Sequence, residues 1–232
     1  MAGKLKAMFD LHVSRVGSGP AMIASHGVGS STEIWDSMAS VLSQSYEFIA
    51  WDQPGHGESP HLRDPAGYNA ATPYDALAQV VEETRATTGQ DKVILLGHSL
   101  GGYVSARYAI DHPDRVAALI LLATGPGFRS SDARDKWNAD IIKQSDRKDQ
   151  PEMLVGLHAD AHVIDHLGDI SCPTLAMVGS EDVAFIGATD YIEKKIPGTQ
   201  RLTLEGAGHM APKTHGEELA TVVSSFLADR LA

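Results

Sequence analysis

Cysteine is nearly absent from this chain of 232 residues: Cys172 stands alone. No internal disulfide is possible, so a packed core has to hold the fold. A lone cysteine also agrees with a reducing, cytoplasmic compartment. Cys172 precedes a proline and opens an apolar run. A buried structural thiol is expected there, because reactive thiols need an accessible, electropositive setting. Basic residues are in deficit as well, with 19 Lys and Arg against 30 Asp and Glu and a net charge of −11. Nucleic acid is therefore not an expected partner, since phosphate binding draws on a Lys/Arg surplus. No apolar run is long enough to span a bilayer. Met1-Ala2-Gly3-Lys4-Leu5-Lys6 leads into Phe9-Asp10-Leu11-His12, not into the apolar stretch of a signal peptide, so no membrane association is expected. Internal repeats and low-complexity tracts are missing too, and nothing in the sequence speaks to oligomeric state.

What is present is the pattern of an α/β domain. Residues 4–16 alternate irregularly and predict a strand pair at a sheet edge. Short apolar strands are expected over 21–25, 46–51, 93–96, 116–124, 172–178 and 199–204. Helices are expected between them, over 33–42, 75–88, 103–111 and 184–196, with a closing helix over 212–231. Gly89 is a plausible stop for the second of these helices. Strands alternating with helices imply parallel crossovers and a doubly wound sheet. The alternation breaks between Gly125 and Ser171, where two helical patterns occur, around Trp137-Ile141-Ile142 and from Pro151 to Leu167. The expected division is a core of residues 1–124 and 172–232 with a helical lid at 125–171. The lid should sit at the carboxyl ends of the strands, where open α/β sheets bind ligands.

The chemistry-bearing stretch is Gly97-His98-Ser99-Leu100-Gly101-Gly102. A serine flanked by glycines at minus two and plus two, between strand and helix, is the nucleophile-elbow pattern. Side chains at either glycine would collide with the adjoining strand or helix. A hydroxyl needs a base to become a nucleophile. His209 lies just after the last strand, in the loop Gly206-Ala207-Gly208-His209, and is the best-placed of eleven histidines. Its neighbours in the choice are weaker: His98 should point away from Ser99, His112 suits a helix terminator, and His26 and His56 only follow strands. The base needs an orienting carboxylate. Asp182 follows Gly179 at a strand end, Glu181 beside it reads as a solvated charge, and Asp52 suits a structural turn. The order Ser99, Asp182, His209 is that of the elbow architecture. The oxyanion donors should be the amides of Leu100, at a helix N-terminus, and Val28, in the loop after His26-Gly27.

His26-Gly27, Asp52-x-Pro-Gly-His-Gly-x-Ser59, the elbow, Gly179-x-x-Asp182 and Gly206-x-Gly-His209 together resemble the α/β-hydrolase superfamily, in particular its small esterase-like and C–C-hydrolase-like members. The resemblance spans nearly the whole chain except the lid. It implies a mainly parallel eight-stranded sheet with one antiparallel strand near its start. It also implies a triad of Ser99, Asp182 and His209 acting without metal or organic cofactor. A Ser nucleophile sets aside the dehalogenase and epoxide-hydrolase branches.

Lesser features have plainer readings. His158, His162 and His166 are spaced i, i+4, i+8. On one helix they would span about 12 Å, too far for all three to reach one ion although a neighbouring pair could, and they fall opposite the apolar stripe, so a solvated face is expected. Trp35 reads as core. Phe128, Arg129, Trp137, Val183 and Met210 are candidate pocket residues by their nearness to strand ends or to the triad. The expected activity is hydrolysis of an ester of a small, largely apolar substrate through an acyl-serine. The alternatives are C–C hydrolysis or a lyase reaction on a diketone-type or anionic metabolite, or ligand binding with little turnover. From Phe128 to Ser171 six Lys/Arg face nine Asp/Glu, which leans against an anionic substrate.

Overall fold

A computed structural model describes residues 7–64, 67–69, 71–144 and 158–231. Seven strands form one sheet: β1 (Val13–Val16), β2 (Ala21–Ser25), β3 (Glu47–Trp51), β4 (Val93–His98), β5 (Val116–Leu122), β6 (Thr174–Gly179) and β7 (Gln200–Leu204). Their spatial order is β1-β3-β2-β4-β5-β6-β7, with β1 antiparallel to β3 and every other pairing parallel. Central strands buried on both faces read as continuous apolar runs, and β2, β4 and β6 are buried throughout.

The count is seven strands, not eight, among the described residues. The expected pair over residues 4–16 yields only β1, and residues 1–6 lie outside the described ones. The backbone at 8–12 bonds elsewhere. Met8 N and Phe9 N both donate to Gln79 Oε1 at 2.8 Å, and Gln79 Nε2 donates to the Phe9 carbonyl at 2.9 Å. His12 N donates to Ser59 Oγ at 2.9 Å. Side-chain partners thus replace a strand neighbour at Met8 and Phe9, while the His12 carbonyl still accepts from Asp52 N, just beyond β3, at 3.0 Å.

Alternate residues of each strand feed two apolar layers. Ile23, Ile49, Leu95, Leu119 and Ala176 face helices α2 (Thr72–Thr88), α3 (Leu100–Asp111) and α6 (Val183–Lys195). Met22, Phe48, Ile94, Ile120 and Met177 face α1 (Asp36–Leu42) and the closing helix, α8 (Gly216–Leu231). Trp35, in a 3-10 turn over Thr32–Trp35, is buried in the second layer. Gly89 ends α2 with φ +72°. The closing helix is divided: α7 (Ala211–Thr214) precedes α8. Gly216 opens α8 tight against α1, where a Cβ would lie 2.6 Å from Ser37 Cβ. Cys172 is half-buried against the first layer, and burial pushes its thiol up to about 11.

Between β5 and β6 stand α4 (Ser131–Gln144) and the short α5 (His162–His166). The expected helix over 151–167 lies outside the described residues up to 157. Where description resumes, His158 is in a turn and helix begins only at His162. Among the described residues no helix is long and apolar enough to cross a membrane.

Candidate active site

All the strand-end motifs meet at the carboxyl edge of the sheet. β4 ends at His98 and α3 begins at Leu100, so one residue, Ser99, makes the whole reversal. It does so at φ +53°, a rare value for a residue with a side chain. The turn is tight because the flanking glycines touch backbone. A Cβ on Gly97 would strike the Gly101 carbonyl, and one on Gly101 would strike the carbonyl of Ser25 in β2. Tyr103 N donates to the Ser99 carbonyl at 3.1 Å, and Thr124 Oγ1 binds that carbonyl at 2.6 Å. Backbone and Thr124, just beyond β5, together hold the elbow in place.

The loop after β2 crosses directly over Ser99. A Cβ on Gly27 would lie 2.9 Å from Ser99 Cβ. His26 fixes this loop with both ring nitrogens. Nδ1 donates to the Gly27 carbonyl at 2.7 Å, and Nε2 accepts from Gln53 N at 3.0 Å. Those two bonds require the neutral Nδ1–H tautomer. Gln53 Nε2 returns a bond to the His26 carbonyl at 2.6 Å. Asp52 caps the facing turn, accepting from Thr32 N at 2.6 Å and Glu58 N at 2.9 Å. Asp52 and His26 therefore shape the loop that carries Val28. Leu100 N–H opens α3, where the first-turn amides have no intrahelical acceptor and the helix dipole favours negative charge.

Asp182 and His209 arrive from neighbouring strand ends. The β6 and β7 loops are tied by Glu181 N to the Ala207 carbonyl at 2.9 Å and Gly206 N to Ser180 Oγ at 2.9 Å. Across that join, His209 Nδ1 donates to Asp182 Oδ2 at 2.8 Å. Asp182 is buried while His209 is partly exposed. Phe185, one turn into α6, stacks on the His209 ring with centroids 4.8 Å apart and planes 19° apart. His98 turns away from Ser99 as the sequence suggests, but it has a partner there. Its Nε2 donates to the His209 carbonyl at 2.8 Å, and the two rings lie 4.8 Å apart. Burial, and then the neighbouring His209, push His98 down to about 3, so it stays neutral. It bridges the elbow to the His209 loop, a contact hidden from sequence because the two lie 111 residues apart.

Ser99, Asp182 and His209 border one cavity of about 520 Å³. Its wall is mostly apolar, with Val28, Leu100, Ile141, Ala184 and Phe185, and Tyr103 and Trp137 beside them. Of the candidate pocket residues, Trp137 lines the cavity. Phe128 stands behind it, 5.6 Å from the Trp137 ring. Arg129 points elsewhere: Nε binds Asp165 Oδ1 at 2.6 Å and Nη1 binds Tyr191 Oη at 3.1 Å, joining α5 to α6. Val183 is 81% exposed and Met210 42%, and neither borders the cavity. Each sits next to a site residue, but consecutive side chains diverge.

The three histidines also separate. His162 Nε2 meets Asp111 Oδ1 at 2.8 Å and His166 Nδ1 meets Asp169 Oδ2 at 2.8 Å, both at the surface. His158 instead turns inward and lines the cavity. A solvated face therefore holds for two of the three. Among the described residues no group of three or more His, Cys, Asp or Glu could hold a metal ion.

Residues 20–161 match the model of the alpha/beta hydrolase fold family, which is well over half of the chain. The chain belongs to the alpha/beta hydrolase fold family. Within the family it is esterase-like. It is 26% identical to the pimeloyl-[acyl-carrier protein] methyl ester esterase of Aeromonas salmonicida, over 94% of this chain and 99% of that one. Against the enzyme of that name from Nitrosomonas europaea the identity is 27%, over 87% and 93%. Among solved structures, a thermophilic esterase from Thermogutta terrifontis superposes with a TM-score of 0.81 at 22% identity, covering 95% of this chain and 94% of that one. The enol-lactonase of Burkholderia xenovorans gives 0.74 at 19%, covering 94% and 96%. Both structures share the fold of this hydrolase.

Proposed function

We propose that this hydrolase cleaves esters of small, largely apolar substrates through an acyl-serine, with Ser99, His209 and Asp182 as its triad. The observation that carries the reading is the 2.8 Å bond from His209 Nδ1 to Asp182 Oδ2, beside Ser99 on one cavity. With Nδ1–H given to Asp182, the lone pair of His209 is on Nε2 and free to take a proton from Ser99 Oγ. Ser99 Oγ attacks the ester carbonyl, and the amides of Val28 and Leu100 receive the oxyanion. The tetrahedral species collapses. The alcohol leaves with the proton from His209, and the acyl group stays on Ser99. Water, deprotonated by His209, then releases the acid. No step calls for a metal or organic cofactor. The curated relatives named above act on a methyl ester, which supports a small alcohol group here as well.

A C–C hydrolase or lyase acting on an anionic metabolite would need a cation in the cavity. Among the described residues that line it there is no Lys or Arg, and Asp140 lines it. The ester reading is therefore favoured. Ser99→Ala should cut turnover of p-nitrophenyl acetate and butyrate by roughly 10⁴-fold or more, and the fluorophosphonate label should vanish with it. Unchanged turnover in that variant refutes the reading. A wild-type protein that stays folded yet takes no label points instead to a ligand-binding role.

A further inference from the structure

His158 lines the cavity with its orientation fixed from three sides. Its ring stands edge-on to Tyr103, with centroids 4.6 Å apart, and to Phe128 at 5.7 Å. Its carbonyl accepts from Asn138 Nδ2 of α4 at 3.3 Å. Nδ1 is sealed from solvent and has no hydrogen-bond partner among the described residues. The backbone at Gly127 closes that side, where a Cβ would lie 3.3 Å from Nδ1. A sealed N–H with no acceptor is rarer and costlier than a sealed lone pair. The ring proton therefore belongs on Nε2, the opposite edge. Burial, with Arg134 adding to it, pushes the ring down to about 4, so it is neutral at ordinary pH.

We propose that His158 sets substrate specificity in this site, donating Nε2–H to a neutral acceptor oxygen that the ester carries away from its scissile bond. A keto, hydroxyl or ether oxygen meets that description. The inference rests on the esterase reading. The remote position follows from α3. Tyr103 is one turn, about 5 Å, beyond Ser99, and His158 packs against the Tyr103 ring, which sets its donor off from the elbow and towards the part of the substrate away from the scissile bond. A neutral oxygen is favoured over a carboxylate because Asp140 borders the same cavity. Lys136, bonded to it at 2.8 Å, holds the Asp140 carboxyl below its ordinary range and so keeps it charged. Arg134, the cation near His158, is not among the residues bordering the cavity, and its Nη1 donates to the Phe128 carbonyl at 3.0 Å.

The test compares a straight-chain acyl p-nitrophenyl ester with its remote-keto counterparts, the keto group being moved outward along the chain. One member of the series should show a KM about tenfold below that of the plain ester, the worth of one good hydrogen bond. His158→Phe should bring the ratio of kcat/KM, keto over plain, to about one. His158→Gln, which keeps an N–H, should restore part of it. A counterpart with a remote carboxylate should show no such gain. A wild-type enzyme that turns over the plain ester but prefers no keto ester overturns the proposal. So does a His158→Phe variant that slows both esters while keeping their ratio, the signature of a merely structural residue. A larger gain from the carboxylate overturns the neutral-oxygen assignment. Failure of the wild type on every ester strikes the esterase reading itself and takes this proposal with it. If His158→Phe does not fold, the wild-type preference and His158→Gln decide.

Discussion

A methyl group at position 101 has nowhere to go. It would press on the carbonyls of Ser25 and His26, which belong to the strand and loop that shape the proposed oxyanion side of the site. Neither is a flexible side-chain end, so backbone has to move. Gly101→Ala should cost about 3 kcal/mol or more and remove most ester turnover, because any relief displaces Ser99 or Val28. Gly89 is the control. Unlike Gly101 it has a positive φ, +72°, but nothing lies within 4 Å of its Cβ position. Gly89→Ala should cost only about 1 kcal/mol and leave turnover intact. Thermal melts and p-nitrophenyl butyrate rates on the two variants check both. These residue-level constraints are the part most legible in sequence, since a glycine-serine-glycine spacing encodes its own geometry. The meeting of Asp182 with His209 was legible for a related reason: each lies in the loop after a parallel strand, and all parallel strand ends meet at one edge. Val183 and Met210 failed as pocket residues because adjacency along the chain says nothing of side-chain direction. His98 escaped because its partner, the His209 carbonyl, is reached only through the fold.

Strands and helices were readable wherever one apolar period ran unbroken, and less so where tertiary contact overrode it. The edge strand is the clearest case. Residues 8–12 carry enough apolar character for a strand, yet Gln79 of α2 takes the backbone bonds of Met8 and Phe9. His158 is the converse: extending a helical period backward from His162 puts it on the solvent side, whereas a turn points it inward. Among the described residues between β5 and β6, aromatic contacts join the segment to the wall of the cavity. Trp137 of α4 is central to these. Its ring packs on Phe128 at 5.6 Å and meets Phe185 edge-on at 5.8 Å, and Phe185 in turn stacks on His209. Trp137→Ala should widen the cavity and loosen the hold on a small acyl chain. An increase in KM of about tenfold for butyrate esters is expected, with kcat changed far less, since binding surface and not the reacting groups is removed. Steady-state kinetics separate the two. A fall in kcat with KM constant counts against this role for α4.

For the whole molecule, the net charge of −11 sets solubility but not where acid unfolds it. We expect the buried histidines to do that. Burial pushes His98 down to about 3 and His158 down to about 4, against an ordinary histidine value of 6.5. Above pH 6.5 native and unfolded forms are both neutral at these sites, and neither contributes to a pH dependence. Below it the unfolded chain binds protons that the native state refuses, so stability falls as pH falls. With both sites refusing, the slope approaches roughly 3 kcal/mol per pH unit, and it ends as pH passes the native values. Asp75, raised by burial, works in the opposite sense, binding its proton in the native state before the unfolded chain does. It is one group against two. The melting temperature should therefore be level from pH 8 to pH 7, below the range in which the unfolded Cys172 thiol ionises, and drop steeply from about 6.5 towards 4. Replacing both histidines, His98→Gln with His158→Gln, should lower stability at pH 8, because a bond to the His209 loop and a wall of the cavity are disturbed. It should also flatten the acid limb, because the refused protons are gone. The decisive quantity is the slope of each protein against its own plateau. A double variant whose stability falls as steeply as the parent's between pH 6.5 and 4 would place the acid sensitivity in the carboxylates instead.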